Sequence, residues 1–196
     1  MSPRTDKQWE EIRQKSKEKI LDAATELFSE NGFNATSINE IAKKAGISKG
    51  LVYNYFDSKY ELLDEIIFSA FKEFDYFFEI LSKNQGDPLE LLGEVIEMTF
   101  KTLKEKPLFW KLITGLSFKQ KIRERYAEQI AQREKLYFEL ASKLFQKLNV
   151  ENPVKEFLFI GAIIDGMSFH FLEKPDIYPV EEMIDSFKEK IKKLYS

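Results

Sequence analysis

Residues 36–63 read TSINEIAKKAGISKGLVYNYFDSKYELL, and this stretch decides the fold. Ser37 and Glu40 form a capping box, in which the serine caps a helix and the glutamate reaches back to the cap. Gly46 ends that helix, and Ser48 begins a second, short helix that runs to about Phe56. Two short helices joined by the tight turn AGIS predict a helix-turn-helix motif.

The second helix of this motif carries polar groups that neither fill a core nor build a catalytic site. Val52 and Phe56, four residues apart, would anchor it inward. A second helix of this kind enters the major groove of DNA. There Lys49 could donate to guanine or phosphate, Leu51 could meet a thymine methyl, and Gly50 would allow close approach. The positions expected to point outward are Lys49, Gly50, Tyr53 and Asn54.

The bulk composition excludes several classes of protein. Hydrophobic residues make up 43% of the 196 residues and charged residues 32%, so the chain can bury a core. It has no cysteine for disulfides or thiolate metal sites, and no apolar run approaches the roughly 20 residues of a membrane span. Residues 1–19 are polar, unlike a signal peptide. We therefore expect a cytoplasmic protein.

The charge distribution permits a local DNA-binding face but does not prove one. The formal net charge is −3, which argues against a generally basic, nucleic-acid-coating surface. The first sixty residues are close to neutral, and the remainder carries the acidic excess. A basic patch on the N-terminal part is therefore compatible with the sequence.

The rest of the chain is predicted to be helical almost throughout. An apolar stripe begins the pattern in 16–31, and a second capping box, Ser58 with Glu61, opens a long helix. Asp87-Pro88 and Asn152-Pro153 are further helix starts. The fold class predicted is all-α with about nine helices. Residues 1–60 would form the DNA-binding domain, after a polar extension of about 1–15, and 61–196 a larger domain for effector binding and dimerisation.

The order and spacing of many residues in this region resemble the TetR (tetracycline-repressor) family of bacterial transcription regulators. The resemblance covers roughly residues 16–63, about a quarter of the chain. The remaining helical residues fit that family's ligand-binding and dimerisation domain only in length and helix count. The matching positions are Gly32-Phe33, Thr36, Ile41-Ala42, Ala45-Gly46-Ile47-Ser48, Gly50, Tyr53, Tyr55-Phe56, Lys59 and Glu61-Leu62.

The resemblance implies two groups of DNA contacts. Independently of the resemblance, Ser37 and Lys59 are predicted to lie at helix N-termini, where backbone N–H groups favour phosphate. Position 51 departs from the family, which usually has a small or polar residue there, so the operator sequence is not inferred. Thr36, Ser37, Tyr55 and Lys59 correspond to phosphate contacts. Asn39, Ser48, Lys49, Gly50, Leu51, Tyr53 and Asn54 correspond to groove-facing positions.

The aromatic content indicates an effector pocket, which the family usually encloses with its middle helices. Each of the eighteen phenylalanines could simply be core, but rings on several helices can together line an apolar cavity. His170, the single histidine, is either a core or interface residue or a polar anchor for the ligand together with Asp165. No metal-ligand motif and no cofactor site is expected. The candidate effector residues are Phe71, Phe74, Phe78, Phe100, Phe109, Trp110, Phe118, Asp165 and His170.

The last two helices are too apolar to face solvent, so they are buried either within one chain or in a dimer. In the family they pair with their mates, and the resemblance favours a homodimer. A two-fold dimer would place two recognition helices on successive major-groove faces of a near-palindromic operator. The expected interface residues are Phe157, Ile160, Gly161, Ile164, Met183, Ile184, Phe187 and Ile191.

These features predict a transcriptional regulator whose partners are double-stranded operator DNA, a second copy of the chain and a small apolar or aromatic effector. Effector binding would release the operator, as in a repressor. An enzyme is disfavoured, because the chain lacks a P-loop, GxGxxG and any histidine-paired nucleophile. The alternative is a helical small-molecule-binding or interaction protein with a degenerate DNA domain.

Overall fold

The computed structural model describes residues 5–83 and 86–195, and this part of the chain contains ten helices and no strand. The all-α prediction is confirmed. The chain divides into two compact units, one ending at Phe71 and the other beginning at Lys72. The helices are α1 (Asp6–Asn31), α2 (Ile38–Ala45), α3 (Lys49–Tyr53), α4 (Lys59–Lys83), α5 (Pro88–Glu105), α6 (Pro107–Ser117), α7 (Gln120–Arg125), α8 (Ala127–Gln146), α9 (Pro153–Glu173) and α10 (Val180–Tyr195).

The first helix begins earlier than its apolar stripe. Thr5 caps α1 in a capping box with Gln8, whose backbone N–H donates to the Thr5 hydroxyl. The predicted polar extension is therefore helical from Asp6 onward, while residues 1–4 lie outside the described residues. Periodicity missed this segment because residues 6–15 are all exposed, and an exposed helix needs no apolar stripe.

The core of the first unit is built by α1, α2, α3 and the first turns of α4. Each large apolar side chain buried there contributes about 1.5–3 kcal/mol relative to an exposed one. Val52 and Phe56 are 0% and 1% exposed, so the predicted inward side of α3 is confirmed. The other fully buried large side chains of this unit are Ile20, Phe28, Ile41, Leu62 and Leu63.

Local sequence signals set the turn between α2 and α3. Ser37 and Glu40 form the predicted capping box, and Gly46 ends α2 in the left-handed region at φ 70°. The Ser48 hydroxyl accepts from the backbone N–H of Leu51 and starts α3. Regular helix ends at Tyr53 rather than near Phe56, because Asn54 and Tyr55 form a turn whose N–H groups bond to Leu51 and Val52.

The second unit packs the rest of α4 with α5–α10. Its core includes Phe100, Phe145 and Ile160, and α5 and α9 contribute to it alongside α10. The helical region over 119–148 is interrupted at Tyr126, whose buried ring lies between α7 and α8. This break accounts for ten helices where about nine were expected. In the described part of the chain, no helix has the length and apolarity to span a membrane.

Candidate functional site

The outer face of α3, defined as Lys49, Gly50, Tyr53 and Asn54, is exposed, as its residue types predict. Tyr53 is 46% exposed, and the Lys49 ammonium lies 5.9 Å from the centre of its ring. A Cβ added at Gly50 would meet no atom within 4 Å, so nothing inside the protein requires a glycine there. This face therefore offers hydrogen-bonding groups and room for close approach to an external partner. Ser48 is also exposed, whereas Leu51 is half-buried.

Thr36, assigned to phosphate by the resemblance, lies inside the protein. Its side chain is 2% exposed, and its hydroxyl is 3.0 Å from the carbonyl of Gly32 and 3.2 Å from that of Leu27. A hydroxyl has one hydrogen to donate, and here it is donated within the chain. In this structure Thr36 fastens the α1–α2 loop to the end of α1, and its contact with phosphate stays a prediction.

Lys59 also turns its charge inward. Its ammonium donates to the carbonyls of Phe33 (2.6 Å) and Thr36 (2.7 Å), with Asn34 at 3.3 Å. It also lies 4.5 Å from the centre of the Phe33 ring. An ammonium has three hydrogens, and these carbonyls can accept all of them. The side chain expected to contact phosphate therefore fastens the start of α4 to the α1–α2 loop.

The N-terminus of α2 already holds an anion of its own. The Ser37 hydroxyl and backbone N–H both donate to the Glu40 carboxylate, each at 2.7 Å. These bonds, led by the one from the hydroxyl, hold the pKa of Glu40 below its ordinary value of 4.5. A phosphate contact by Ser37 would have to share this N-terminus with the carboxylate. Asn39, in the first turn of α2, is exposed and stays a candidate groove contact.

The structure brings one further basic residue to this region that the sequence did not single out. The guanidinium carbon of Arg13 lies 5.9 Å from the centre of the Tyr55 ring. Tyr55 is half-buried and follows α3, so Arg13 extends the polar surface beside the outer face of α3. The signal could have been found only by continuing α1 back to Asp6, since Arg13 precedes the apolar stripe.

A cavity of about 550 Å³ lies in the second unit between α4, α5, α8 and α9. Its volume is within the roughly 300–1,000 Å³ range of small-molecule sites. Most of its lining is apolar, and Ser82, Lys143 and Lys147 supply polar side chains. The apolar and aromatic lining consists of Phe78, Leu81, Leu92, Val95, Leu140, Ala141, Leu144, Phe145, Phe157, Ile160, Gly161 and Ile164.

A polar cluster beside the cavity joins α4 to α8. The Phe78 ring stacks on the Tyr137 ring at 3.9 Å and 7°. The Tyr137 hydroxyl donates to Asp75 at 2.7 Å, and Arg133 donates to both oxygens of the same carboxylate. Burial, together with the bond to Asp75, raises the pKa of the Tyr137 hydroxyl. The cavity-lining ring of Phe78 on α4 is thus in contact with the hydrogen-bonded Tyr137 of α8.

Of the predicted effector residues, the structure brings Phe78 to this cavity. Phe100 and Trp110 are buried in the core with Phe109 packed against it, and Phe74 is edge-on to Trp110 at 5.5 Å. Phe71 is half-buried, and Phe118 is 78% exposed. Asp165 and His170 lie on the outer surface of α9, where His170 is stacked on Tyr178. Within 5–83 and 86–195, no group of three side chains is placed to hold a metal ion.

The residues expected at a dimer interface lie largely within the chain's own core. Ile160, Ile184, Phe187 and Ile191 are 3–6% exposed, so they have little surface left for a partner. Phe157, Gly161, Ile164 and Met183 are half-buried. The helix α9 is apolar on both sides, and periodicity could not tell which side faces the core. Its outward side, called here the α9 outer face, consists of Leu158, Phe159, Ala162, Asp165, Gly166 and Phe169.

The α9 outer face is an unusual surface for an isolated chain. Leu158, Phe159 and Phe169 are each more than half exposed. Beside it, α9 and α10 enclose an apolar groove of about 280 Å³. Partial burial among these side chains raises the pKa of the Asp165 carboxyl, although the residue as a whole remains exposed. Contiguous apolar surface of this kind marks an interaction site.

A buried three-helix core with an exposed polar α3 defines a helix-turn-helix protein, and comparison with known proteins agrees. The model of the bacterial regulatory proteins of the tetR family matches residues 20–66. The HTH-type transcriptional regulator AcrR of Shigella flexneri is 39% identical over 84 residues, which are 42% of this chain and 39% of that protein. The chain thus matches about two fifths of this curated relative's length.

Solved structures extend the similarity to most of the chain. NalD, the secondary repressor of the MexAB-OprM multidrug efflux pump in Pseudomonas aeruginosa, has a TM-score of 0.70 and 25% identity, over 93% of this chain and 96% of its own. The fatty acid degradation regulator FadR from Bacillus halodurans has a TM-score of 0.67 over 96% and 95% of the two chains, and its 19% identity shows the fold alone. Residues 20–66 are thus similar to the TetR family of bacterial regulatory proteins, and the fold of most of the chain is similar to that of the regulator NalD.

Proposed function

We propose that this protein is a DNA-binding transcriptional regulator, and that it represses by occupying a near-palindromic operator until a small apolar or aromatic effector binds. The observation that carries the proposal is the outer face of α3. Val52 and Phe56 hold one side of this short segment in the core, and the opposite side presents Lys49, Tyr53 and Asn54 to the exterior. Such a face fits the major groove, where base edges offer hydrogen-bonding groups. A protein acting there would work in the cytoplasm.

The proposed active form is a homodimer built on the α9 outer face. Leu158, Phe159 and Phe169 would leave water when a second α9 packs against them, and this burial favours association. Gly166 and Ala162 lie on the same face, and their small side chains allow a second helix to approach closely. Two-fold symmetry then presents two α3 segments to half-sites about one helical turn apart.

The proposed effector site is the cavity between α4, α5, α8 and α9. The helix α4 starts at Lys59 in the first unit and supplies Phe78 to the cavity, so one continuous helix includes residues of both. A ligand that displaces Phe78 would disturb its stacking on Tyr137 and the bond from Tyr137 to Asp75. By linkage, the ligand weakens DNA binding only by its preference for the DNA-incompetent state, typically about 1–3 kcal/mol.

The test is DNA binding by a variant that loses the outer face and keeps the core. We expect K49A/Y53A/N54A to lose binding to a fragment from upstream of its gene in fluorescence anisotropy, with circular dichroism unchanged. A matched control, K15A on the exposed part of α1, should bind like the wild type. If the triple variant binds as well as the wild type, α3 does not read DNA. Wild-type protein that binds ligands and no DNA would instead favour the helical ligand-binding alternative.

A further inference from the structure

The cavity between α4, α5, α8 and α9 has an apolar interior and a positively charged rim. Its charged lining side chains are Lys143 and Lys147, and no acidic side chain lines it among the described residues. Both lysines are exposed, while Phe145 and Ile160 at the lining are 1% and 3% exposed. A ligand that fills this cavity therefore meets hydrocarbon in its interior and positive charge at its mouth.

We infer that the ligand is an amphipathic monoanion, with an apolar body inside the cavity and one carboxylate at the rim between Lys143 and Lys147. This inference deepens the proposed effector site and rests on that proposal for its regulatory meaning. Ligand binding itself can be measured without DNA, so the two can fail separately.

The cavity walls select against a ligand with polar groups along its body. The lining residues come mainly from the middle and end of four helices, where backbone N–H and C=O groups bond to one another. The Ser82 hydroxyl donates to the carbonyl of Glu79, so its hydrogen is already used. A polar group buried in such walls would lose its bonds to water without replacement. The ligand's polar part is therefore expected at the rim alone.

The two rim lysines favour a bound anion, and their charge exceeds the unfavourable effect of the helix dipole. Lys143 and Lys147 are four residues apart, one turn along the end of α8, so both ammonium groups can approach one carboxylate. The C-terminal end of a helix carries roughly half a negative charge, which disfavours an anion there. Two full positive charges exceed it, and the last carbonyls of α8 accept bonds from the N–H groups of Lys147 and Leu148. The net field at the mouth is positive.

The experiment measures binding of decanoate, 1-decanol and decyltrimethylammonium to the full-length protein by isothermal titration calorimetry. These probes share one apolar chain and differ in the charge of the head. We expect decanoate to bind about tenfold more tightly than decanol, from two solvent-exposed ion pairs. Octanoate should bind about 15-fold more weakly than decanoate, since each buried methylene contributes about fourfold.

Variants assign the effect to the rim. K143Q/K147Q should remove the preference for decanoate and leave decanol binding unchanged. K135Q, on an exposed position of α8 outside the lining, should retain the preference. Gly161→Leu should weaken decanoate and decanol alike, because Gly161 lines the cavity and a Cβ there meets no atom within 4 Å.

Several outcomes would overturn the inference. Equal affinity for decanol and decanoate would leave an apolar cavity with no anion selectivity, and tighter binding of decyltrimethylammonium would reverse the sign. Decanoate binding unaffected by K143Q/K147Q would place the carboxylate elsewhere. Absence of binding by all three probes would also refute it. In each case, operator binding by the same preparation in anisotropy decides the proposed regulatory function independently.

Discussion

Replacing Lys59 separates two roles for this residue, an internal fastener and a phosphate contact. In K59Q the hydrogen bonds from the ammonium to the carbonyls of Phe33 and Thr36 are lost, along with its contact to the Phe33 ring. A hydrogen bond to a charged group contributes about 1.5–3 kcal/mol, and a cation–π contact about 0.5–1. Because Lys59 is half-buried, water compensates for part of these lost interactions. We therefore expect the free energy of unfolding to fall by about 2 kcal/mol.

The loss is measurable as stability and distinguishable from a DNA effect. For a chain of this length, about 2 kcal/mol lowers Tm by roughly 4–8 °C, and urea unfolding at a fixed protein concentration gives the same free energy. The salt dependence of DNA affinity should keep its slope, since no phosphate contact is removed. K49Q is the matched control: unchanged stability with weaker DNA binding. An unchanged urea midpoint in K59Q, with a salt slope reduced by about one, would refute the fastener role.

Three other substitutions test neighbouring parts of the structure. Gly50→Ala should leave stability equal or slightly higher, because the added methyl meets open space, and should weaken DNA binding at least about tenfold if α3 approaches the bases closely; unchanged affinity in anisotropy would contradict this. Arg13→Ala should lower the salt slope by about one, while Lys15→Ala should not, if Arg13 beside Tyr55 meets a phosphate; equal slopes would exclude that contact. Tyr137→Phe should lower the free energy of unfolding by about 1 kcal/mol at neutral pH, because the hydrogen bond to Asp75 is lost. Because the pKa of Tyr137 is raised in the folded chain, the unfolded chain ionises first, and wild-type stability falls as pH rises above 10. The variant should show a smaller fall when urea unfolding is measured against pH.

Signals contained within a few residues could be predicted from the sequence. Ser37 caps α2 with Glu40, Gly46 ends it, and Ser48 starts α3, because caps and turns depend on neighbours three or four positions away. The inward side of α3 followed from the spacing of Val52 and Phe56. These local rules also gave the helix-turn-helix and the polar face opposite its core.

Roles that depend on distant parts of the chain could not be predicted. Thr36 and Lys59 look like surface polar residues until folding brings the carbonyls of Leu27, Gly32 and Phe33 to them. The resemblance assigned both to phosphate because side-chain direction is not visible in a motif. The sequence also could not show which side of α9 faces the core, since apolar residues on both sides of a helix give no periodic signal for it.

Selection of bound DNA from a random double-stranded pool tests most directly whether α3 segments of a two-fold dimer read DNA. We expect wild-type protein to enrich an inverted repeat whose half-site centres lie about one helical turn apart. K49A/Y53A/N54A should enrich none. An unpaired motif, or the same enriched sequence from both proteins, would contradict the central claim.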